Sequence, residues 1–216
     1  MPKAKPGPSS ARTGGRAPVS NAEAILGFAR AADWHAWLKA NHARSRGVRL
    51  RIAKGAGNAG ATKEVSYAEA LDAALAWGWI DSRKQALDAG AWLQRFTPRT
   101  AKSPWSKINC AKAEVLIAAG TMAAPGLAEV ARAKADGRWA RAYDGARTSQ
   151  VPADLAAALA RNKRARAFFA ALDGANRYAI LYRVQTAKTV ETRVERIKRF
   201  VAMCARGERV HERRDK

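Results

Sequence analysis

Residues 77–109 read WGWIDSRKQALDAGAWLQRFTPRTAKSPWSKIN, and no other stretch constrains the fold as strongly. Four of the seven tryptophans (Trp77, Trp79, Trp92, Trp105) fall in it, among glycine, proline and polar residues. Trp92, Gln94 and Phe96 alternate with Leu93, Arg95 and Thr97, the period-two signature of a strand, and Pro98 ends the run. A shorter strand is expected at 79–82, separated from the first by the turn signal Asp88-Ala89-Gly90. At 48–52, Val48, Leu50 and Ile52 alternate with Arg49 and Arg51, which adds a third strand with one wet face. The three are expected to form one small antiparallel sheet.

Helices account for most of the remainder. Trp34, Trp37 and Leu38 stand at i, i+3 and i+4 of an amphipathic helix over 31–41, with His35 and His42 as structural histidines. Ser66 followed by Glu69 forms a capping box for a helix over 67–77, which Gly78 stops. Ser103-Pro104 reads as an N-cap with proline at the first helical position, which predicts a helix over 105–119. Further helices are expected at 122–135, 153–159, 163–172, 176–185 and 190–203. The last of these carries Val190, Val194, Ile197 and Val201 on one stripe and ends at Gly207. The fold class is therefore α+β, mostly helical, with one small antiparallel sheet and a helical C-terminal module. Four regions are expected: a disordered basic tail over 1–20, an α+β core over 21–145, a helical module over 146–207 packed on it, and a charged tail over 208–216.

Forty Lys+Arg against eighteen Asp+Glu give a net charge of +22, which favours polyanions unless the cations are simply spread over a solvated surface. Lys3, Lys5, Arg12 and Arg16 of the tail, with Arg193, Arg196, Lys198 and Arg199 of the last helix, are the candidate contacts to nucleic acid. Helix-turn-helix spacing, zinc knuckles and RNA-binding aromatic signatures are absent, so such contacts would be non-specific. The loop GAGNAGAT at 55–62 lacks the Gly-Lys-Ser/Thr ending of a phosphate loop and reads as a connection. No cofactor motif or metal-ligand cluster stands out, so neither cofactor nor metal is expected. Without a secretory apolar core or an eighteen-residue apolar run, the chain is expected to be cytoplasmic. Cys110 and Cys204 lie in helical patterns and are expected as buried thiols in a reducing compartment.

One constellation points to a ligand. A helix beginning near Ser103 would offer unpaired N–H groups and partial positive charge to an anion. Arg95, Arg99, Ser103, Trp105, Ser106, Lys107 and Asn109 gather around that point in sequence, with Asp81 to hold an arginine in place. They suit a phosphorylated or carboxylated small molecule. The structural alternative is that Trp77, Trp79, Trp92, Phe96 and Trp105 are core, that Asp81 pairs with Arg95 or Arg99, and that Ser103 only caps. Two other functional classes stay open: a protein-interaction or stress-protection scaffold, and an enzyme with Asp81 as acid/base and Arg95 and Arg99 as electrostatic stabilisers.

The runs SYAEALDAALAWGWID (66–81), RFTPRTAKSPWSKIN (95–109), GRWARAY (137–143), VPADLAAALARN (151–162) and AKTVETRVERI (187–197) resemble the YdeI/OmpD-associated, or bacteriocin-protection, family. The resemblance covers most of residues 28–207. It implies a bacterial α+β protein with a helical C-terminal module and a link to envelope or antimicrobial stress, and it carries over no catalytic residue. It also implies a periplasmic setting, against which the missing leader points to the cytoplasm.

Overall fold

The computed structural model describes residues 23–54 and 64–212. The tail cations Lys3, Lys5, Arg12 and Arg16 and the loop at 55–62 lie outside the described residues. The elements follow in the order β1 (Ile25–Leu26), α1 (Ala31–Asn41), β2 (Val48–Ala53), α2 (Tyr67–Ala76), β3 (Trp79–Ala86), β4 (Ala91–Pro98), then α3 (Lys107–Ala118), α4 (Ala124–Ala135), α5 (Ala153–Ala160), α6 (Lys163–Ala170), α7 (Gly174–Gln185) and α8 (Val190–Ala205).

The three expected strands pair antiparallel in the order β2-β4-β3. The two-residue β1 adds to β2 in parallel, so the sheet is mixed. Val48, Leu50 and Ile52 are buried while their neighbours are half-exposed, as alternation requires. Asp81 stands opposite Phe96, and Phe96 opposite Val48, so all three share the core-facing side. Arg95 pairs in register with Arg49 and therefore faces the other way.

Against the inner face lies α2. Its sequence YAEALDAALA buries Ala70, Leu71, Ala73, Ala74, Leu75 and Ala76, leaving little but its first turn polar. Alanine on most sides lets α1, β3, α3 and α4 all pack against this one helix. The capping box is formed as expected: Glu69 N donates to Ser66 Oγ, and the Glu69 carboxylate accepts from Ser66 N at 2.9 Å. Gly78 ends the helix at φ +72, a conformation other residues rarely adopt. Every tryptophan joins the first core cluster or packs on it, with Trp34, Trp79 and Trp105 fully buried. A second cluster, built from Leu155, Leu159, Phe169, Ile180, Val184, Ile197 and Phe200, holds α5 to α8 together.

Two expectations need correction. The third helix starts at Lys107, not 105, and its cap is Ser106, whose Oγ accepts from Asn109 N at 3.1 Å. Ser103 belongs instead to a turn in which its Oγ accepts from Thr100 N at 2.9 Å. That turn is fixed from outside by Arg138, which donates to Ser103 O at 2.9 Å. In α8 the buried stripe is Ile197, Phe200 and Cys204, while Val190 is 73% and Val194 44% exposed. The larger apolar area of Phe200 wins the core-facing position.

Candidate functional site

A cleft of about 360 Å³ opens between α2, the start of α3 and the chain at 143–145. Asp81 reaches it from β3 because the register turns that residue inward. Tyr67, the first residue of α2, donates its hydroxyl proton to Asp81 Oδ2 at 2.8 Å. Burial, followed by that hydrogen bond, pushes the Tyr67 hydroxyl above its ordinary value. Tyr143 faces the same cleft, and burial pushes its hydroxyl up to about 12. Both phenols therefore stay protonated at neutral pH.

Tyr143 is held by its backbone. Its N–H donates to Trp105 O at 3.0 Å, and its carbonyl accepts from Lys107 N at 2.8 Å. This parallel bridge satisfies one of the N–H groups that α3 would otherwise leave open. Asn109, only 8% exposed, completes the wall. Its carboxamide makes no hydrogen bond among the described residues, and neither does the Tyr143 hydroxyl. Lys112, one turn further along α3, lines the rim and donates to Asp72 Oδ1 at 2.6 Å.

The structure separates the residues that sequence had grouped around an anion. Asp81, Ser106 and Asn109 meet in the cleft. Arg95 does not join them. On the outer sheet face it makes a bidentate pair with Glu23, its Nε lying 2.9 and 2.7 Å from the two carboxylate oxygens. The hydrogen bond to Arg95 is the main reason the Glu23 carboxyl sits below its usual range.

Arg99 is 5% exposed and sits beneath the surface, outside the cleft lining. Its Nη1 donates to Pro104 O at 3.0 Å, and its guanidinium lies 3.6 Å from the centre of the Trp105 ring. Nε and Nη2 have no partner among the described residues, and burial lowers the group to about 10. Neither arginine pairs with Asp81, whose partner is Tyr67. Trp105 is core, packed on Trp139 with ring centres 4.9 Å apart.

Lys107 is bound to Asp144, its Nζ 2.7 Å from Oδ1. Asp144 joins the first region to the helical one. Its Oδ2 accepts from Gln185 Nε2 at 2.8 Å, its N–H donates to Gln185 Oε1 at 3.1 Å, and its carbonyl accepts from the Tyr178 hydroxyl at 3.0 Å. The Lys107 hydrogen bond, then Gln185, hold the Asp144 carboxyl below its ordinary value against the opposing effect of burial. A depressed carboxyl adds stability that is present above its unfolded value, about 3.9, and is lost as pH falls through the folded value. Asp144→Ala is therefore expected to lower the urea midpoint at pH 7, with the gap to the parent closing below about pH 4. A gap that persists at pH 2.5 would assign the loss to packing.

Of the cations proposed on α8, Arg193 grips Asp154 of α5 through two bonds, at 2.6 and 2.9 Å, and Arg196 donates to Arg183 O of α7. Both fasten helices. Lys198 pairs with Glu195, and Arg199 lies 4.9 Å from the Phe200 ring centre. Cys110 and Cys204 are buried free thiols, and burial raises both. No helix among the described residues is long and apolar enough to cross a membrane. Among the same residues, no group of three or more His, Cys, Asp or Glu is placed to hold a metal ion.

Comparison with known families divides the chain near the Asp144 junction. Residues 26–129 match a domain of unknown function, DUF8412. Residues 148–207 match the family described as Bacteriocin-protection, YdeI or OmpD-Associated. No curated protein and no solved structure matches the chain.

Proposed function

We propose that the N-terminal region, most of which matches the domain of unknown function and which precedes the part matching the Bacteriocin-protection, YdeI or OmpD-Associated family, binds a small carboxylated molecule in the α2–α3 cleft. One observation carries the reading. Asn109 and the protonated Tyr143 line the same cleft as Lys112, and no hydrogen bond among the described residues occupies the Asn109 carboxamide or the Tyr143 hydroxyl. Neither group is among the buried orphaned atoms, so both stay open to solvent and can turn their donors and acceptors to a ligand that enters the cleft.

The charges narrow its class. Among the described residues, Lys112 is the only cation lining the cleft, and it already shares Asp72, while Asp81 adds a carboxylate. A phosphate carrying −1.5 to −2 charges would meet more repulsion than attraction there. A monocarboxylate suits the site better, taking donors from Asn109, Tyr143 and the two free protons of Lys112. A hydroxyl or amino group on the ligand would then face Asp81. Calorimetric titration with a short 2-hydroxycarboxylate tests the reading. Binding by the parent is expected, and Asn109→Ala and Lys112→Met should each weaken it roughly ten- to a hundredfold. Equal heats from parent and both variants would refute it.

A second reading rests on the α5–α6 corner, where Arg161, Lys163, Arg164 and Arg166 follow one another with no ion pair among the described residues. We propose weak, sequence-tolerant polyanion binding there, measurable by titrating labelled duplex at two salt concentrations. Absence of binding at low salt would leave the +22 charge as composition.

A further inference from the structure

A second surface, built around α6, is strongly cationic. The buried positions of α6 are Ala165 and Phe169. At 3.6 residues per turn, Lys163, Arg164 and Ala167 point away from them. Arg166 stands on the flank beside Phe169, and Arg164 on the flank beside Phe168. Two arginines from other elements extend those flanks. The Arg177 guanidinium of α7 lies 5.1 Å from the Phe169 ring centre, and that of Arg209, beyond α8, lies 5.6 Å from the Phe168 ring centre. Arg161, the C-cap of α5, adds a sixth cation at the start of α6.

Among the described residues none of the six makes an ion pair or a side-chain hydrogen bond, and all but Arg177 are fully exposed. Asp173 tempers the charge at one edge: hydrogen bonds from Asn176, and then the charge of Arg209, hold its carboxyl below the usual range. The outer side of α8 differs. There Glu191 and Glu195 stand among Lys198 and Arg199, and Lys198 Nζ lies 2.9 Å from Glu195 Oε1. Positive charge is therefore concentrated on the α6 side of the helical module and largely offset on the α8 side.

The rest of the α6 face says what it can take. Among the described residues no exposed large hydrophobic side chain lies at 151–185 or 195–212, so the face has nothing to insert into a bilayer. Phe168 is half-buried with Arg209 over its ring, which leaves no open aromatic on which single-stranded bases could stack. Asn162 is turned back as the cap of α6, its Oδ1 accepting from Ala165 N at 2.9 Å, and is not presented to base edges. Ala167 and Ala170 are small and exposed, so they do not hold a rigid surface away from the guanidinium groups. Arginine forks suit phosphate oxygens. Resting on the polyanion reading above, we infer that this whole face, and not the α5–α6 corner alone, docks on the phosphate backbone of a double-stranded nucleic acid without reading its sequence.

The test titrates the full chain into a labelled duplex over a series of salt concentrations. Affinity is expected to fall with salt with a log–log slope of about −0.9 per phosphate engaged, so about −5 if all six cations take part. Arg177→Gln/Arg209→Gln should make the slope shallower by about 2, as should Arg164→Gln/Arg166→Gln. Lys198→Gln/Arg199→Gln removes the same charge from the α8 side and should leave the slope unchanged. Thermal melts check that each variant is folded. If Arg177→Gln loosens the packing on Phe169, Arg209→Gln alone carries the test with a change of about 1. A slope that answers to Arg164 and Arg166 but not to Arg177 and Arg209 would overturn the extended face and leave the corner reading standing. Absence of binding at low salt would overturn both. Equal losses from the α6 and α8 pairs would mean that binding follows net charge alone, and would overturn the assignment to this face. Tighter binding to a single strand, or to vesicles of anionic phospholipid, than to the duplex would overturn the partner.

Discussion

Trp34→Ala is expected to remove about 3–5 kcal/mol of stability, a large share of the roughly 5–15 kcal/mol that holds a typical domain together. Trp34 is fully buried in the angle between α1, α2 and the sheet. It stacks on Trp37 at 5.3 Å and meets Phe96 at 5.7 Å, Phe28 at 5.5 Å and the edge of Trp79 at 6.4 Å. Its Nε1–H also donates to Ala70 O at 3.0 Å, tying α1 to α2. Truncation leaves a cavity walled by rings that cannot collapse into it. Trp34→Phe keeps most of that volume and loses the indole hydrogen bond, so about 1 kcal/mol is expected there. Urea denaturation of both variants checks the order, and a loss under about 1 kcal/mol for the alanine would mean that the core is organised elsewhere.

Gly126→Ala should destabilise by about 1–3 kcal/mol even though alanine is the better helix former by about 1 kcal/mol. The first turn of α4 lies directly on the last turn of α2. A Cβ at 126 would lie 2.9 Å from the Ala76 carbonyl carbon and 3.0 Å from Leu75 O, with Ala76 O closer still. These are backbone atoms of a buried helix end, and Ala76 O also accepts from Ala123 N at 3.0 Å, so they cannot turn away as a side chain would. The two helices would have to separate. Gly174→Ala supplies the control, since nothing lies within 4 Å of its added methyl. It should be neutral or mildly stabilising, and a matching loss at both positions would contradict this account of the α2–α4 contact.

The sequence carried the elements further than it carried the site. The capping box at Ser66 and Glu69, the alternation at 48–52 and the stop at Gly78 are local signals, and local signals survive folding. The start of α3 was ambiguous because two serines compete. Ser103-Pro104 looks like a helix start, but Trp105 is drawn into the core and Arg138 pins the turn before it, so the cap passes to Ser106. The arginines were misplaced for a related reason. Arg95 and Asp81 are near in sequence pattern, yet period two puts them on opposite faces of the sheet.

Tyr67, Tyr143 and Lys112 were missed altogether as cleft residues. Lys112 was legible, since it stands at i+3 from Asn109 on one helical face. Tyr143 was not, because a non-local bridge to Trp105 and Lys107 places it. Nor was the role of Asp144, whose four contacts reach from α3 to α7.

The side-chain amide protons of Asn109 report on the cleft directly, and their NMR signals during titration with a short 2-hydroxycarboxylate are the measurement to make. If the cleft binds the carboxylate, these signals shift in a saturable way, together with the backbone amides of Ile108 and Gly145, and the shifts vanish in Lys112→Met. Signals that stay in place while the cationic corner at 161–166 moves would contradict the account and assign the anion to the surface.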